Sequence, residues 1–276
     1  MRSVSLFGVR VDDLTSDELQ ARLLECLYAD VPSLVVTPNP EFLLEARKNE
    51  SFRIILNNSA LSLPDGVALR FAAAASTELH NLHRYPGVDV LPMIAAICRD
   101  RGMPLVLLGA TDGILARAKL RFATLAEGVS IVTVNPGAID SVDPHLPEEI
   151  VDLLRGLGPC SVALALGQGS GRSQGKQEVI AQQIVENVLN ARVVIGIGGA
   201  LDMITGSVRR APMIFQRSGF EWLWRLMVEP WRFRRIFRAV ILFPACVFWD
   251  TVQLNRWRRA LVDVAMELRL HFFSRS

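Results

Sequence analysis

The sequence predicts an α/β fold, with a Rossmann-like, largely parallel sheet flanked by helices and a C-terminal basic, Trp-rich helical appendage. Three observations support this prediction. From residue 30 to 200, short apolar segments alternate with segments of helical length. The short segments are apolar throughout, as strands covered on both faces must be. Beyond residue 206 the strand pattern stops and the composition changes.

Five short segments rich in β-branched and aliphatic residues are the predicted strands, namely 33–37, 104–109, 129–134, 160–166 and 192–197. Ligands of open parallel sheets bind beyond the carboxyl ends of the strands. The loops that follow these five segments are therefore expected to surround the functional site.

Between the strands lie segments with helical length, several of them opened by Asp, Thr or Pro and closed near Gly or Asn. The clearest predicted helices are 40–48, 66–75, 88–101, 111–125, 146–157 and 175–189.

The charge and the tryptophan content of the chain change near residue 207. The sequence therefore predicts an α/β catalytic domain at 1–206 and a helical appendage at 207–276. The appendage holds 13 arginines and 5 acids, a net charge of +8, whereas residues 1–206 carry −6. All five tryptophans also lie in it. Residues 219–241 are predicted to be helical, with a turn or kink at Pro230.

A helical wheel of residues 231–241 predicts a basic amphipathic helix. It groups Phe233, Ile236, Phe237, Val240 and Ile241 on one side. Arginines 234, 235 and 238 fall on another side. Such a helix suits an anionic bilayer surface, with arginines on lipid phosphates; the alternative is a helix packed on the domain.

Composition places the chain at a membrane surface rather than across it. The apolar run 239–249 contains Pro244 and is shorter than the roughly 20 residues of a spanning helix. Residues 1–11 are too short and too soon followed by acids to be a secretory signal. We expect a cytoplasmic, peripheral protein with an anionic membrane surface as a partner and no nucleic-acid partner.

Neither a metal nor another cofactor is expected. The four cysteines are scattered, and the four histidines form no H-E-x-x-H pattern. The sequence also has no D-x-D motif that could hold a metal ion on a diphosphate. If the substrate is a nucleotide-linked donor, arginines would have to neutralise its diphosphate.

Two polar loops follow apolar segments and are candidate site segments. Thr37 and Asn39, in T-P-N-P-E, come directly after the first predicted strand. Asp65, in L-P-D-G, precedes a helix and is able to accept a proton from an attacking hydroxyl. Taken alone, the first loop is equally well explained as a helix cap, and a cap is the better explanation of Asp65.

Two further turns suit phosphate. Arg84 lies beside a helix start, with a surface arginine as the alternative. The glycine-rich segment 167–178 follows a predicted strand, but it has Ser170 and Gln177 where a Walker A loop needs Gly and Ser or Thr. Residues 196–201 do not complete G-x-G-x-x-G, so NAD binding has little support.

Seven motifs in order resemble the WecG/TagA/CpsF glycosyltransferases. They are T-P-N-P-E (37–41), L-P-D-G (63–66), R-Y-P-G-V-D (84–89), G-K-Q-E (175–178), G-I-G-G-A-L-D (196–202), R-A-P (210–212) and G-F-E-W-L-W-R-L-x-x-E-P-x-R (219–232). The segment before G-K-Q-E is longer than is usual in the family and lacks its proline.

The resemblance implies an inverting transfer of a hexosamine-type sugar from a UDP donor to an undecaprenyl-diphosphate-linked sugar. N-acetylmannosamine or its uronic acid is the expected sugar, with glucose or another hexose as the alternative. The product would be a surface polysaccharide or teichoic acid. Family members are similar in forming oligomers, so a homo-oligomer is also implied.

The resemblance also assigns roles to residues. Asp65 matches the proposed base, and Thr37 and Asn39 match the polar residues of the cleft. Arg84 and Gln177 match positions that hold donor or acceptor. In the appendage, Arg225, Arg232 and Arg235 match arginines expected to close over the diphosphate. Two other function classes stay open: an NAD-dependent Rossmann oxidoreductase and a non-catalytic membrane-surface binding protein.

Overall fold

A computed structural model describes residues 2–140, 142–166 and 175–273. Its strands are β1 (Arg2–Leu6), β2 (Val9–Asp13), β3 (Ser33–Val36), β4 (Leu61–Ser62), β5 (Leu105–Gly109), β6 (Ile131–Val134), β7 (Cys160–Ala165) and β8 (Ala191–Gly196). The five predicted strands are confirmed, each within one or two residues of its predicted ends.

The helices up to the sheet's last strand are α1 (Ser16–Tyr28), α2 (Pro40–Ala46), α3 (Glu50–Asn57), α4 (Val67–Thr77), α5 (Gly87–Asp100), α6 (Asp112–Leu125), α7 (Glu148–Gly156) and α8 (Lys176–Asn187). After β8 come α9 (Ala200–Ile204), α10 (Met213–Ser218), α11 (Glu221–Val228), α12 (Phe233–Phe237), α13 (Phe243–Gln253) and α14 (Trp257–Phe273). The six predicted helices are confirmed.

A six-stranded parallel sheet in the order β4-β3-β8-β7-β5-β6 forms the centre of the fold. Helices pack on both faces and divide the buried side chains into two clusters, one on each side. Every residue of β5 and β7 is buried, which explains why β5 is apolar throughout and β7 has Ser161 as its one polar residue. The predicted α/β class with a parallel sheet is confirmed.

The N-terminal hairpin was not predicted. Strands β1 and β2 pair antiparallel through a two-residue turn at Phe7 and Gly8, both with positive φ, as a type I′ turn requires. From Ser3 to Leu6, polar and apolar residues of β1 alternate, which reflects one solvated face. Helix α1 is fixed by a capping box in which Thr15 and Glu18 exchange hydrogen bonds.

The C-terminal segment packs on the sheet domain rather than standing apart from it. Phe243, Val247 and Ala260 belong to the same buried cluster as Phe42 and Leu69 of the sheet domain. In the part of the chain that the structure describes, no strand follows β8. The division at residue 206 stays a prediction.

Residues 230–253 form one helix whose geometry changes along its length. A 3₁₀ turn at Pro230–Arg232 leads into α12, and a π-helical turn at Arg238–Leu242 precedes α13. The turn predicted at Pro230 is confirmed. Pro244 has no N–H to donate to an earlier carbonyl, and the π-helical turn lies just before it.

This helix is longer than its apolar run indicated. Among the described residues, only Pro230–Gln253 is long and apolar enough to cross a membrane, with 24 residues, a mean hydropathy of 1.4 and 17% of its most apolar window buried. Length and composition alone do not show insertion. The expectation that no segment reaches spanning length is therefore corrected, because the helix continues through Pro244.

The helical wheel grouped side chains that the structure separates. Ile236 and Val240 line a cavity inside the protein, whereas Phe233, Phe237 and Ile241 are exposed. The arginines also divide: Arg235 and Arg238 face glutamates of α2, and Arg234 is exposed. The wheel could not show this division, because inward-facing arginines need acidic partners from elsewhere in the chain.

Candidate active site

Three loops meet at one edge of the sheet because β4, β3 and β8 are neighbours in it. The loop after β3 and the loop after β4 are joined by a hydrogen bond from Asp65 N to Pro38 O of 2.8 Å. A second bond, from Tyr85 N to Pro64 O at 2.9 Å, fixes the next turn and thereby places Arg84 beside Asp65. This is the edge at which parallel sheets bind ligands.

Asp65 lies at the entry of α4, followed by Gly66 with a φ of +100°. Its side chain borders a cavity of about 780 Å³, within the range of roughly 300–1,000 Å³ that is usual for ligand pockets. Burial, reinforced by the nearby Glu221 carboxylate, raises the pKa of Asp65 to about 6, against the opposing effect of Arg84 and Arg225. A carboxylate of this kind is ionised at neutral pH and ready to accept a proton.

The cavity brings together six of the eight predicted site residues. Its lining includes Asn39, Asp65, Arg84, Arg225, Arg232 and Arg235. The first three come from the loops at the edge of the sheet, and the last three come from the C-terminal segment. Both parts of the chain therefore contribute to this cavity.

One buried acid holds two of the arginines. Glu229 accepts from Arg225 Nη1 at 2.7 Å and pairs with Arg232 Nε at 2.8 Å, across the turn between α11 and the next helix. Burial alone would raise the pKa of Glu229, but the hydrogen bonds from these two arginines outweigh burial and lower it. The guanidinium groups are thus oriented before any ligand arrives.

Arg235 is also held by a buried acid, which in this case comes from the part of the chain before residue 207. Its Nε donates to Oε2 of the buried Glu41 at 2.7 Å. Glu41 is the last residue of the T-P-N-P-E motif, and it lies in the first turn of α2. The motif therefore contributes an anchor for an arginine as well as the loop after β3.

Asn39 is the N-cap of α2. Its Oδ1 accepts from Glu41 N at 3.0 Å and Phe42 N at 3.1 Å, so the cap interpretation describes its contacts. The same residue also lines the cavity.

Thr37 and Gln177 are not among the described residues that line the cavity. Both contact the end of β8 instead: Thr37 Oγ1 donates to Gly196 O at 3.3 Å, and Gln177 Oε1 accepts from Gly198 N at 3.1 Å. The Gln177 amide packs so closely on Gly196 that a Cβ there would displace it. The glycine-rich residues 167–174 lie outside the described residues.

Glu178, the neighbour of Gln177, is buried behind this turn. Burial raises the pKa of its carboxyl to about 7. Gln177 Nε2 donates to Glu178 Oε1 at 3.3 Å. Through these contacts the G-K-Q-E motif stabilises the loop after β8.

Sequence reasoning assigned no role to three charged residues of the site. Asp89 and Arg210 form a bidentate pair with distances of 2.8 and 3.0 Å, and both line the cavity with Glu221. Each lies within one of the motifs quoted above, but the motif alone does not reveal that Arg210 faces Asp89, 121 positions away. Only the packing of the C-terminal segment brings them together.

Among residues 2–140, 142–166 and 175–273, no three His, Cys, Asp or Glu side chains come together as a metal-ligand set. The cationic groups at the cavity are arginines.

The sequence model of the glycosyl transferase WecG/TagA/CpsF family matches residues 4–257. This range covers nearly the whole chain, including Asp65 and the five arginines that line the cavity. The chain belongs to the WecG/TagA/CpsF family of glycosyl transferases. Membership in this family makes the cavity the candidate active site of a sugar transfer, and it favours a transferase over an oxidoreductase or a non-catalytic binding protein.

Proposed function

We propose that this glycosyl transferase moves a hexosamine-type sugar from a UDP donor to a polyprenyl-diphosphate-linked acceptor sugar, with inversion at the anomeric carbon. The observation that carries the proposal is the position of Asp65, a carboxylate that shares one cavity with arginines from two parts of the chain. N-acetylmannosamine or its uronic acid is the proposed sugar, and the product belongs to surface polysaccharide or teichoic acid synthesis.

In this mechanism the Asp65 carboxylate accepts the proton of an acceptor hydroxyl. The hydroxyl oxygen forms a bond to the anomeric carbon on the face opposite UDP, and the bond from that carbon to the diphosphate oxygen breaks. A single displacement inverts the configuration. A positioned base contributes about 10²–10⁴-fold to such a reaction.

The departing diphosphate gains negative charge, and guanidinium groups stabilise it. Arg225 and Arg232 are oriented by Glu229, and Arg84 lies beside Asp65. Bidentate hydrogen bonds from arginine suit phosphate oxygens, so no resident metal or other cofactor is needed in this scheme.

The acceptor's lipid carrier requires a membrane surface. Exposed apolar side chains of the C-terminal segment support peripheral binding there: Trp231 is 74% exposed, Phe233 60% and Trp249 60%. Rings of this kind lie at the depth of lipid headgroups. We therefore propose that the protein acts at the inner face of the cell membrane.

The proposed donor and acceptor are tested by incubating the protein with a panel of UDP-sugars and a short-chain polyprenyl-diphosphate-GlcNAc. The expected result is transfer of one UDP-sugar, with the new bond in the inverted configuration. Thermal-shift titrations run beside it should show stabilisation by UDP and none by NAD. Stabilisation by NAD, or retention of configuration in the product, would overturn the proposal.

A further inference from the structure

The cavity that contains Asp65 continues away from the charged residues as a channel between three helices. We call this part the apolar arm, and its lining residues are Phe71, Ala72, Ala75, Ile236, Ala239, Val240, Phe243, Pro244, Val247, Phe248, Thr251, Ala260, Leu261, Val264 and Leu268. All but Thr251 have apolar side chains. The proposed sugar transfer uses none of them.

The direction of the arm follows from the packing of the helices. Residues 71, 72 and 75 of α4 line it at intervals of one and three, which is one face of a helix. This face starts beside Asp65 and, at 1.5 Å per residue, runs for about 12 Å from Val67 to Ala75. The arm therefore extends about that far from the charged part of the cavity.

The helix at residues 230–253 forms the second wall of the arm and runs parallel to α4, the first wall. Near its start, Arg235 binds Glu41 beside the loops of the site. Just after its end, Arg256 Nη1 donates to Ser76 O, at the end of α4, at 3.3 Å. The same helix thus presents arginines to the charged part of the cavity and apolar side chains to the arm.

Helix α14 forms the third wall and runs in the opposite direction. Arg259, near its start, pairs with Glu78 just beyond α4, and Glu267, near its end, pairs with Arg70 in the middle of α4. Both Arg70 and Glu267 are fully buried. This ion pair fixes α14 against α4.

The far end of the arm opens to the exterior. Two of the lining residues at this end are about half exposed: Phe248 at 49% and Leu261 at 52%. Trp249 is exposed beside them. A long hydrocarbon chain is therefore able to leave the arm between α13 and α14, at a surface that is itself apolar.

We infer that the apolar arm binds the first isoprenoid units of the lipid acceptor, next to its diphosphate. The inference rests on the proposed function, which supplies an acceptor that is anionic at one end and hydrocarbon at the other. In this arrangement the acceptor sugar lies at Asp65, its diphosphate at Arg235, and its isoprenoid chain along α4. One cavity with a cationic part and an apolar part matches that order of groups, since buried hydrocarbon gains free energy only against apolar walls.

The test measures binding alone, by isothermal titration calorimetry of the full chain with farnesyl diphosphate, inorganic diphosphate and farnesol in detergent-free buffer. We expect the wild-type protein to bind farnesyl diphosphate at least about tenfold more tightly than either of the others, because only it occupies both parts of the cavity. Farnesol binding as tightly as farnesyl diphosphate would overturn the inference, because the arm would then be a general apolar pocket.

Two substitutions to tryptophan on the same helix form a matched pair. Ala239 lines the arm, whereas Ala245 is exposed and is not among its lining residues. We expect A239W to bind farnesyl diphosphate no more tightly than inorganic diphosphate, and A245W to keep the wild-type preference. Equal preference in both variants would overturn the inference.

A second pair guards against misfolding of A239W. Leu268 and Met266 are both exposed on α14, but only Leu268 lines the arm. L268Q is expected to weaken farnesyl diphosphate binding several-fold with inorganic diphosphate unaffected, and M266Q to change neither; equal effects would overturn the inference. Because no turnover is measured, a failure here leaves the sugar transfer standing, and failure of the transfer assay leaves this binding result standing.

Discussion

Arg235 in the C-terminal segment donates a hydrogen bond to Glu41, 194 positions earlier in the chain. The contact joins the helix at residues 230–253 to the first turn of α2, directly after the loop that follows β3. Glu41 has no contact with substrate in the proposed arrangement, but it positions Arg235, which does.

Glu41→Gln removes the charge that holds Arg235. We expect kcat/KM to fall about tenfold, since a hydrogen bond to a charged group contributes about 1.5–3 kcal/mol and Arg235 is partly solvated. Glu45→Gln is the matched control, because Glu45 lies one turn further along α2 and its contact with Arg238 is longer, at 3.9 Å. Equal losses in the two variants would contradict the role of the Glu41 contact.

The pH dependence of transfer reports the ionisation of Asp65. The base must be deprotonated, so kcat/KM should be constant above the pKa of about 6 and fall tenfold per pH unit below it. Glu221→Gln removes a negative charge that raises this pKa, so the acid limb should move to lower pH. The measurement is the pH profile of both proteins.

Glu178 provides the control for that profile, because burial raises the pKa of its carboxyl to about 7. Glu178→Gln should leave the acid limb near pH 6. Loss of the limb in this variant, or a limb that Glu221→Gln does not move, would assign the titration to a group other than Asp65.

The Arg70–Glu267 pair makes the last helix part of the fold. Glu267 also accepts from Asn81 N at 2.8 Å, so its removal leaves a buried guanidinium and a backbone N–H without that partner. Glu267→Ala should lower the free energy of unfolding by about 3–5 kcal/mol in urea titrations. Met266→Ala, at an exposed position beside it, should change it by about 0.5 kcal/mol or less.

Replacing both members of the pair by apolar residues gives the second comparison. Because Arg70→Met with Glu267→Leu leaves no unpaired charge, we expect this double variant to be more stable than Glu267→Ala. A double variant that is equally destabilised would show that shape, rather than charge pairing, holds α14.

Membrane binding is best tested at exposed side chains. Deleting residues 207–276 would uncover core residues that pack against Phe243 and Val247, so loss of binding would be confounded with misfolding. Replacing Trp231, Phe233 and Phe237 together by serine spares the core. We expect this variant to sediment less with anionic vesicles and to melt at an unchanged temperature; unchanged sedimentation would contradict the proposed surface.

The parallel sheet could be predicted because its strands are mostly apolar instead of alternating, as β5 shows. The site could be predicted in part, because motifs after strands mark the sheet edge where Asp65 lies. The inward direction of Arg235 could not be predicted, since it depends on a partner 194 positions away. Helix α3 and the strand β4 were also missed, because one is short and the other has only two residues.

The direct role of Asp65 is the central claim. Single-turnover transfer by Asp65→Asn should be slower than wild type by about 10²–10⁴-fold, because the amide cannot accept the hydroxyl proton. Its melting temperature at pH 7 should be unchanged or higher, because burial disfavours the charged form of the carboxylate that is removed. Transfer at the wild-type rate by a folded Asp65→Asn protein would contradict the account.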